Sequence, residues 1–119
     1  MHEMGIMNDV LITCENIARE AGKDRITHVA LTIGEMTDIQ DFALEFAFEA
    51  LRDGTMAQDA TLEMVFVEPR SRCNSCGKVY EHDRYTMLCP HCGSFEVTLL
   101  QGRELQIDTI EAEDEEDQA

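Results

Sequence analysis

The sequence predicts an α+β protein, in which two helices pack on a small mixed sheet and a cysteine-rich module is inserted between two of the strands. The chain has 119 residues, a length that supports one modest core and leaves little for a second. Segments of helical and strand periodicity alternate through the first part, which is typical of a two-layer α/β unit. All four paired cysteines lie between the last two strand candidates. We therefore expect one domain from residues 1–68 and 103–111, a module at 69–102, and a disordered acidic tail at 112–119.

The first helix is predicted over Gly5–Ala21, with Gly22 as its stop. Cys14 lies on the apolar stripe of this helix, so we interpret it as a small buried thiol and not as a metal ligand. The apolar residues at helical spacing are Met7, Val10, Leu11, Cys14, Ile17, Ala18 and Ala21.

A half-buried strand follows between Arg25 and Glu35, where Val29, Leu31 and Ile33 alternate with more polar residues. His28 falls on the polar face, and we assign it a surface or packing role. The predicted core face of this strand is the one that carries the three aliphatic side chains.

The second helix is predicted to follow Thr37–Gln40, a segment with the spacing of a capping box. Its sequence, DFALEFAFEALRDG, is rich in apolar residues and ends at a glycine. We expect Phe42, Phe46 and Phe48 to be core residues that lie on the sheet.

Two more strands are predicted, at Thr61–Glu68 and Arg103–Glu111. In the first of them Leu62, Met64 and Phe66 share one face, and Pro69 ends it. We expect these two strands to be neighbours in the sheet, joined by the cysteine-rich module as a hairpin is joined by its loop.

The charge of the chain excludes several classes of partner. The formal net charge is −16, from 25 acidic and nine basic residues, and such a surface repels nucleic acid and anionic membranes. Six of the seven residues at 111–117 are acidic, as in a solvated tail. No signal peptide or membrane-length apolar run is recognisable, so we expect a cytoplasmic protein whose cysteines stay reduced.

The four paired cysteines form the most specific motif in the sequence. Cys73-Asn-Ser-Cys76 and Cys89-Pro-His-Cys92 are separated by twelve residues, and a glycine follows each pair. Two intervening residues let a tight turn direct both sulfurs to one point, and the glycine permits the positive φ that such a turn needs. Two facing turns give a tetrahedral sulfur site, which indicates structural zinc in a zinc-ribbon-like module; a disulfide pair or iron is the alternative.

A four-sulfur zinc site has no open position for catalysis, so its role would be structural. His82 and His91 lie close to the cysteines in sequence, but four thiolates leave neither of them needed as a ligand. Acidic residues also offset the basic ones in this module, which disfavours nucleic-acid binding.

The first three residues, Met-His-Glu, could chelate a second metal. The α-amine of Met1, the backbone amide nitrogen of His2 and the His2 imidazole provide three nitrogens in one plane. Glu3 could add a fourth donor through its amide nitrogen or its carboxylate, and water is the other candidate. Planar nitrogen ligation suits Ni(II) and Cu(II). By itself the tripeptide does not establish a site, because many chains carry a second-position histidine by chance.

Together these motifs resemble the HypA/HybF family of nickel-insertion accessory proteins for NiFe hydrogenase maturation. The resemblance covers the chain apart from its acidic tail. The segments that carry it are Met1–Glu3, Ile33–Glu35, Cys73–Cys76, Cys89–Cys92 and Gln101–Leu105.

The resemblance implies a nickel metallochaperone and not an enzyme. It implies that Met1, His2 and Glu3 bind Ni(II) as transient cargo, and that the four cysteines bind structural Zn(II). The implied partners are a HypB-type GTPase and the NiFe hydrogenase large subunit, with urease accessory proteins as a further client system. We expect a monomer or a homodimer.

Three other functions are compatible with parts of the sequence. The main alternative is a zinc-ribbon adaptor for protein interactions, with no nickel transfer of its own. A nucleic-acid-binding ribbon is disfavoured by the charge. A thiol redox protein would form reversible disulfides in place of one tightly held zinc ion.

Overall fold

The computed structural model describes residues 2–86 and 88–114 of the chain. Within those residues the predicted α+β class is confirmed, with two helices and a small mixed sheet, and the inserted module contributes a second small sheet. No helix in the described part of the chain has the length and apolar character needed to cross a membrane. The elements are α1 (His2–Glu20), β1 (Arg25–Gly34), α2 (Asp41–Leu51), β2 (Thr61–Val67), β3 (Arg70–Cys73), β4 (Val79–Glu81), β5 (Val97–Gln101) and β6 (Leu105–Glu113).

Helix α1 begins earlier than its apolar pattern predicts. We expected a start at Gly5, whereas the helix begins at His2. The predicted apolar stripe is confirmed for five of its members, and two are exposed. The buried members are Met7, Val10, Leu11, Cys14 and Ala18, whereas Ile17 is 46% exposed and Ala21 is exposed too. The earlier start places His2 and Glu3 in the first turn of the helix.

The first sheet has the order β2-β1-β6, with the buried strand β1 in the centre. The prediction that β2 and β6 are neighbours is therefore wrong: β1 separates them. Strand β2 runs parallel to β1 with α2 as the crossover, while β6 runs antiparallel, so the sheet is mixed. Backbone hydrogen bonds show both directions. Along β1 the acceptor carbonyls on the β2 side advance from Met56, bonded to the Ile26 N–H, to Val67, bonded to the Glu35 N–H. On the β6 side they run backwards, from Glu113, bonded to the Asp24 N–H, to Glu104, bonded to the Gly34 N–H.

Helix α2 differs from its prediction at its start. Its N-cap is Gln40, and no side chain of that residue caps the helix. The predicted capping box at Thr37 does not form, because the Thr37 hydroxyl donates to the Gly34 carbonyl at 2.7 Å. The reason is local: this hydroxyl closes a turn after β1 and does not reach α2.

The face that α2 buries also differs from the prediction. Leu44, Ala47 and Phe48 are buried, and α2 packs against α1. Phe42 and Phe46 were expected in the core, but each is 69% exposed. The helix is apolar on most of its circumference, so its periodicity did not determine which side faces inward.

The chain forms two compact units. The first contains the described residues of Met1–Leu31, Ile39–Met64 and Ile107–Ala119, and the second contains those of Thr32–Asp38 and Val65–Gln106. The second unit holds the inserted module, whose sheet has the order β4-β3-β5 with antiparallel pairing. Strand β6 extends to Glu113, and residues 115–119 of the predicted tail lie outside the described residues.

Two glycine motifs meet inside the second unit. A Cβ on Gly34 would lie 2.0 Å from the carbonyl carbon of Gly102, far inside van der Waals contact. The Met36 N–H donates to the Gly102 carbonyl at 2.7 Å, so the two backbone segments are held together. Gly102 also has a φ of 130°, which favours glycine. The Ile33–Glu35 and Gln101–Leu105 segments are therefore complementary parts of one backbone contact.

We predict that Gly34→Ala destabilises the protein by about 1–3 kcal/mol, because the new methyl group has only backbone atoms to displace. Gly5→Ala is the matched control. Gly5 lies in α1, and a Cβ added there would meet nothing within 4 Å, so the change should stabilise the helix by about 0.5–1 kcal/mol. Denaturant unfolding followed by circular dichroism measures both, and equal midpoints for the two variants would contradict the close-contact account.

Candidate metal centres

Each cysteine pair in the second unit forms a tight turn closed by the glycine that follows it. The Gly77 N–H donates to the Cys73 carbonyl, and the Gly93 N–H donates to the Cys89 carbonyl, both at 2.8 Å. Gly77 has a φ of 78° and Gly93 a φ of 74°. The predicted use of positive φ after each pair is therefore confirmed.

The turns direct backbone N–H groups at the first sulfur of each pair. The Cys76 N–H lies 3.4 Å from Cys73 Sγ, and the His91 N–H lies 3.4 Å from Cys89 Sγ. The first cysteine of each pair is buried, while Cys76 and Cys92 are exposed. Each turn thus stabilises negative charge on its inner sulfur.

Hydrogen bonds outside the sulfurs join the two turns. The Ser75 and Ser94 hydroxyls are 3.0 Å apart, and the Asn74 N–H donates to the Glu96 carbonyl at 2.8 Å. The Asn74 side chain also pairs with the Thr98 hydroxyl on β5. These polar contacts, which sequence reasoning missed because they link distant residues, fix how the two turns face each other.

The four sulfur atoms fit a tetrahedral ion. Cys73 Sγ and Cys92 Sγ are 3.5 Å apart, Cys76 Sγ and Cys89 Sγ are 3.7 Å apart, and all four atoms lie within 4.8 Å of one another. Zinc–sulfur bonds of about 2.3 Å give a tetrahedron with edges of about 3.8 Å. Within residues 2–86 and 88–114, this is the one group of three or more His, Cys, Asp or Glu side chains arranged to hold a metal ion.

The pKa values of the thiols reflect how close the four sulfur atoms lie to one another. The Cys76 N–H is the main cause that lowers the pKa of Cys73 to about 6. For Cys92 the Ser94 N–H acts in the lowering direction, but the neighbouring Cys73 sulfur and burial outweigh it and raise the pKa to about 12. Four thiolates so close together repel one another, and a bound zinc ion would remove that repulsion.

Neither of the two nearby histidines, His82 and His91, is a further candidate ligand of the metal. The His82 ring lies 2.8 Å from the Ser71 hydroxyl through Nε2 and 2.7 Å from the Asp83 carbonyl through Nδ1. Both of its nitrogens are thus occupied. His91 is exposed, and its backbone N–H serves the second turn. The arrangement is a closed four-sulfur site, which is typical of structural zinc.

His28 and Cys14, which the sequence analysis interpreted as packing residues, make the following contacts. His28 lies 2.5 Å from the Thr61 hydroxyl through Nδ1 and 3.4 Å from a Glu63 oxygen through Nε2. Cys14 is completely buried, and burial raises the pKa of its thiol to about 11. The first side chain therefore joins β1 to β2, and the second fills the core beneath α1.

The N-terminal motif lies in the first unit. Met1 lies outside the described residues, and His2 is the first residue of α1. The Glu3 carboxylate accepts a hydrogen bond from the Gln40 N–H at 3.1 Å, which is the main cause that holds the pKa of Glu3 below its ordinary value. Glu3 therefore caps α2 in the place where Gln40 offers no capping side chain. No pattern in the sequence indicated this contact.

Comparison with known proteins identifies the family. A family model described as "Hydrogenase/urease nickel incorporation, metallochaperone, hypA" matches residues 1–112. The chain belongs to the HypA family. The resemblance inferred from the sequence is thereby confirmed.

The HypA relatives match over nearly their whole length. Hydrogenase maturation factor HypA of Moorella thermoacetica is 38% identical over 95% of this chain and 100% of its own. The HypA of Aquifex aeolicus is 34% identical over 95% and 98%. The family acts in hydrogenase maturation as nickel metallochaperones.

Solved HypA structures share the fold. The solution structure of the Ni metallochaperone HypA from Helicobacter pylori has a TM-score of 0.69 and 25% identity, and covers 95% of this chain and 98% of that one. A second solution structure of a HypA protein has a TM-score of 0.71 and 26% identity, over 94% and 96%. The HypA family binds nickel and structural zinc, and the four-cysteine cluster fits the zinc site.

We predict that Cys73→Ser removes bound zinc and unfolds the cysteine turns, because three sulfurs and a hydroxyl hold zinc much less tightly. Cys14→Ala is the control, since Cys14 belongs to no metal group among the described residues and should keep one zinc ion per chain. Metal analysis together with limited proteolysis at 69–102 reports both effects. Unchanged zinc content in Cys73→Ser would contradict the ligand assignment.

Proposed function

We propose that this protein captures Ni(II) at its N-terminal Met1-His2-Glu3 motif and delivers it during maturation of NiFe hydrogenase. Membership of the HypA family supports the general role. The observation that carries the proposal is the position of His2 and Glu3 in the first turn of α1. The first N–H groups of a helix have no intrahelical partner, so a metal bound to their nitrogens breaks no hydrogen bond of the fold.

The ligand set follows from the chemistry of the opening dipeptide. The Met1 α-amine and the His2 amide nitrogen form a five-membered chelate, and the His2 imidazole closes a six-membered ring on the same amide. Ni(II) favours such planar nitrogen ligation. The amide must lose its proton, so nickel affinity should fall as the pH falls.

The helix start acts on this site in two opposing ways. Its partial positive charge disfavours a cation by about 0.3–1 kcal/mol, but it favours the negative charge of a deprotonated amide. The Glu3 carboxylate adds a full negative charge beside the motif, and the low pKa of this group keeps it ionised. Glu3 thus offers a fourth donor through its amide or its carboxylate, with water as the remaining candidate.

Cys73, Cys76, Cys89 and Cys92 are proposed as the ligands of the structural zinc ion. Zinc binding supplies on the order of 10 kcal/mol of folding free energy in zinc-finger peptides. The second unit needs such support, because its buried apolar cluster around the turns contains Cys73, Cys89 and Tyr80, with Val97 packed against it. A site filled by four sulfurs does no catalysis, and the protein as proposed is not an enzyme.

Delivery needs partners that receive or release the metal. By the family role, these are a HypB-type GTPase and the large subunit of NiFe hydrogenase, with urease accessory proteins as a second client system. We propose that the transfer takes place in the cytoplasm, from a monomer or a homodimer. The division into a nickel domain at 1–68 and 103–111 and a zinc module at 69–102 belongs to the same proposal.

We predict that His2→Ala abolishes stoichiometric nickel binding by untagged protein and leaves zinc content and fold intact. The variant loses one of three in-plane nitrogens, while the cysteine turns keep all their contacts. Calorimetric nickel titration with parallel zinc analysis measures this, and His28→Ala is the histidine control. Unchanged nickel affinity in His2→Ala would favour the zinc-ribbon adaptor instead.

We predict that Glu3→Gln and Glu3→Ala separate the two roles of this residue. A glutamine amide oxygen can still accept a hydrogen bond from the Gln40 N–H, so Glu3→Gln should keep the stability of α2. If the Glu3 carboxylate is a nickel ligand, the same variant should bind nickel more weakly. Glu3→Ala should also lower the unfolding midpoint, because the helix start loses its acceptor. Identical midpoints for the two variants would show that the cap contributes nothing.

A further inference from the structure

An apolar groove lies between the two helices of the first unit. It has a volume of about 400 Å³ and is lined by Glu3, Met4, Phe42, Ala43 and Phe46. Both phenylalanines are 69% exposed, although the sequence places them among core residues. Two exposed aromatic rings on neighbouring turns of one helix are an unusual feature for a surface with no partner.

Acidic side chains flank the aromatic stripe. Asp41, Glu45 and Glu49 recur every four residues along α2, beside the stripe of Phe42 and Phe46. Glu49 pairs with Arg52, but Asp41 and Glu45 form no ion pair in the described part of the chain. None of the described residues that line the groove is basic.

We propose that this groove docks a basic amphipathic helix presented by a protein partner. A groove between two helices accepts a helix that inserts apolar residues spaced three or four apart. Lysine or arginine residues on the flanks of that helix would meet the Asp41 and Glu45 carboxylates. Met4 adds a flexible apolar wall, which suits a surface that adapts to its partner.

The charge pattern selects this occupant over others. A second copy of the chain would bring like-charged carboxylates together around the phenylalanines, which costs binding energy. An anionic membrane would meet the same repulsion, because the chain carries a net charge of −16. A basic partner gains from both the apolar and the acidic parts of the surface.

The position of the groove gives the docking a consequence for nickel. Glu3 lines the groove and belongs to the N-terminal motif, so an occupant would lie beside the metal ligands. This link to nickel transfer rests on the proposed function, whereas the docking itself does not. A helix seated there could bring its own donor groups to the ion before the first ligands leave.

The test uses nickel-free, zinc-loaded, untagged full-length protein and three synthetic peptides. The first is an amphipathic helix of leucine and lysine, the second has the same composition in scrambled order, and the third replaces lysine with glutamate. Fluorescence anisotropy at several salt concentrations measures binding. We expect only the first peptide to bind tightly, with an affinity that falls as salt rises.

Matched variants locate the binding site. Phe42→Gln and Phe46→Gln should each lower the affinity about tenfold or more, whereas Phe95→Gln, which removes an 83% exposed ring in the second unit, should not. Glu45→Gln should weaken binding at low salt and flatten its salt dependence, with Glu96→Gln as control. Circular dichroism and zinc-binding capacity confirm that each variant is folded.

Three results would overturn the proposal. The first is equal binding of the ordered and scrambled lysine peptides, and the second is unchanged affinity in both phenylalanine variants. The third is self-association that Phe46→Gln abolishes, which would assign the groove to a second copy of the chain. Because no nickel is present, none of these results bears on nickel capture, and a failure of His2→Ala to lose nickel leaves the docking untouched.

Discussion

The hydrogen bond from the Gln40 N–H to the Glu3 carboxylate connects the main features of the first unit. It holds the first turn of α1 at the start of α2, where Gln40 itself offers no side-chain cap. The same contact lowers the pKa of Glu3, whose side chain also lines the apolar groove. A single carboxylate therefore belongs to the helix cap, to the proposed nickel motif and to the docking surface.

The two proposed metal sites differ in donor chemistry, and this difference keeps the two ions apart. The cysteine turns offer four sulfurs in a closed tetrahedron, which suits zinc because that ion has no geometric preference from its d electrons. The proposed N-terminal site would offer nitrogens in a plane, which zinc does not favour and Ni(II) does. The zinc site is built to retain its ion and to hold the fold of the second unit. The proposed nickel motif includes His2 and Glu3, in the first turn of α1.

The sequence patterns predicted the features that are set by residues close together in the chain. The spacing of the cysteines and glycines was sufficient to predict the sulfur cluster, because each turn closes on itself within five residues. Non-local features were missed. No short segment of the sequence indicates that β1 lies between β2 and β6. The same is true of the close contact between Gly34 and Gly102. The exposed Phe42 and Phe46 were misassigned because α2 is apolar on two sides, and only packing against α1 decides which side is buried.

The central claim is that the free α-amine of Met1 is a nickel ligand, so acetylation of that amine is the most direct test. Acetylation removes one in-plane nitrogen donor and leaves every side chain unchanged. Nickel titration of acetylated and free protein, with zinc content as the internal control, measures the difference. We predict that the acetylated protein loses stoichiometric nickel binding and keeps its zinc. Equal nickel affinity in the two forms would contradict the account.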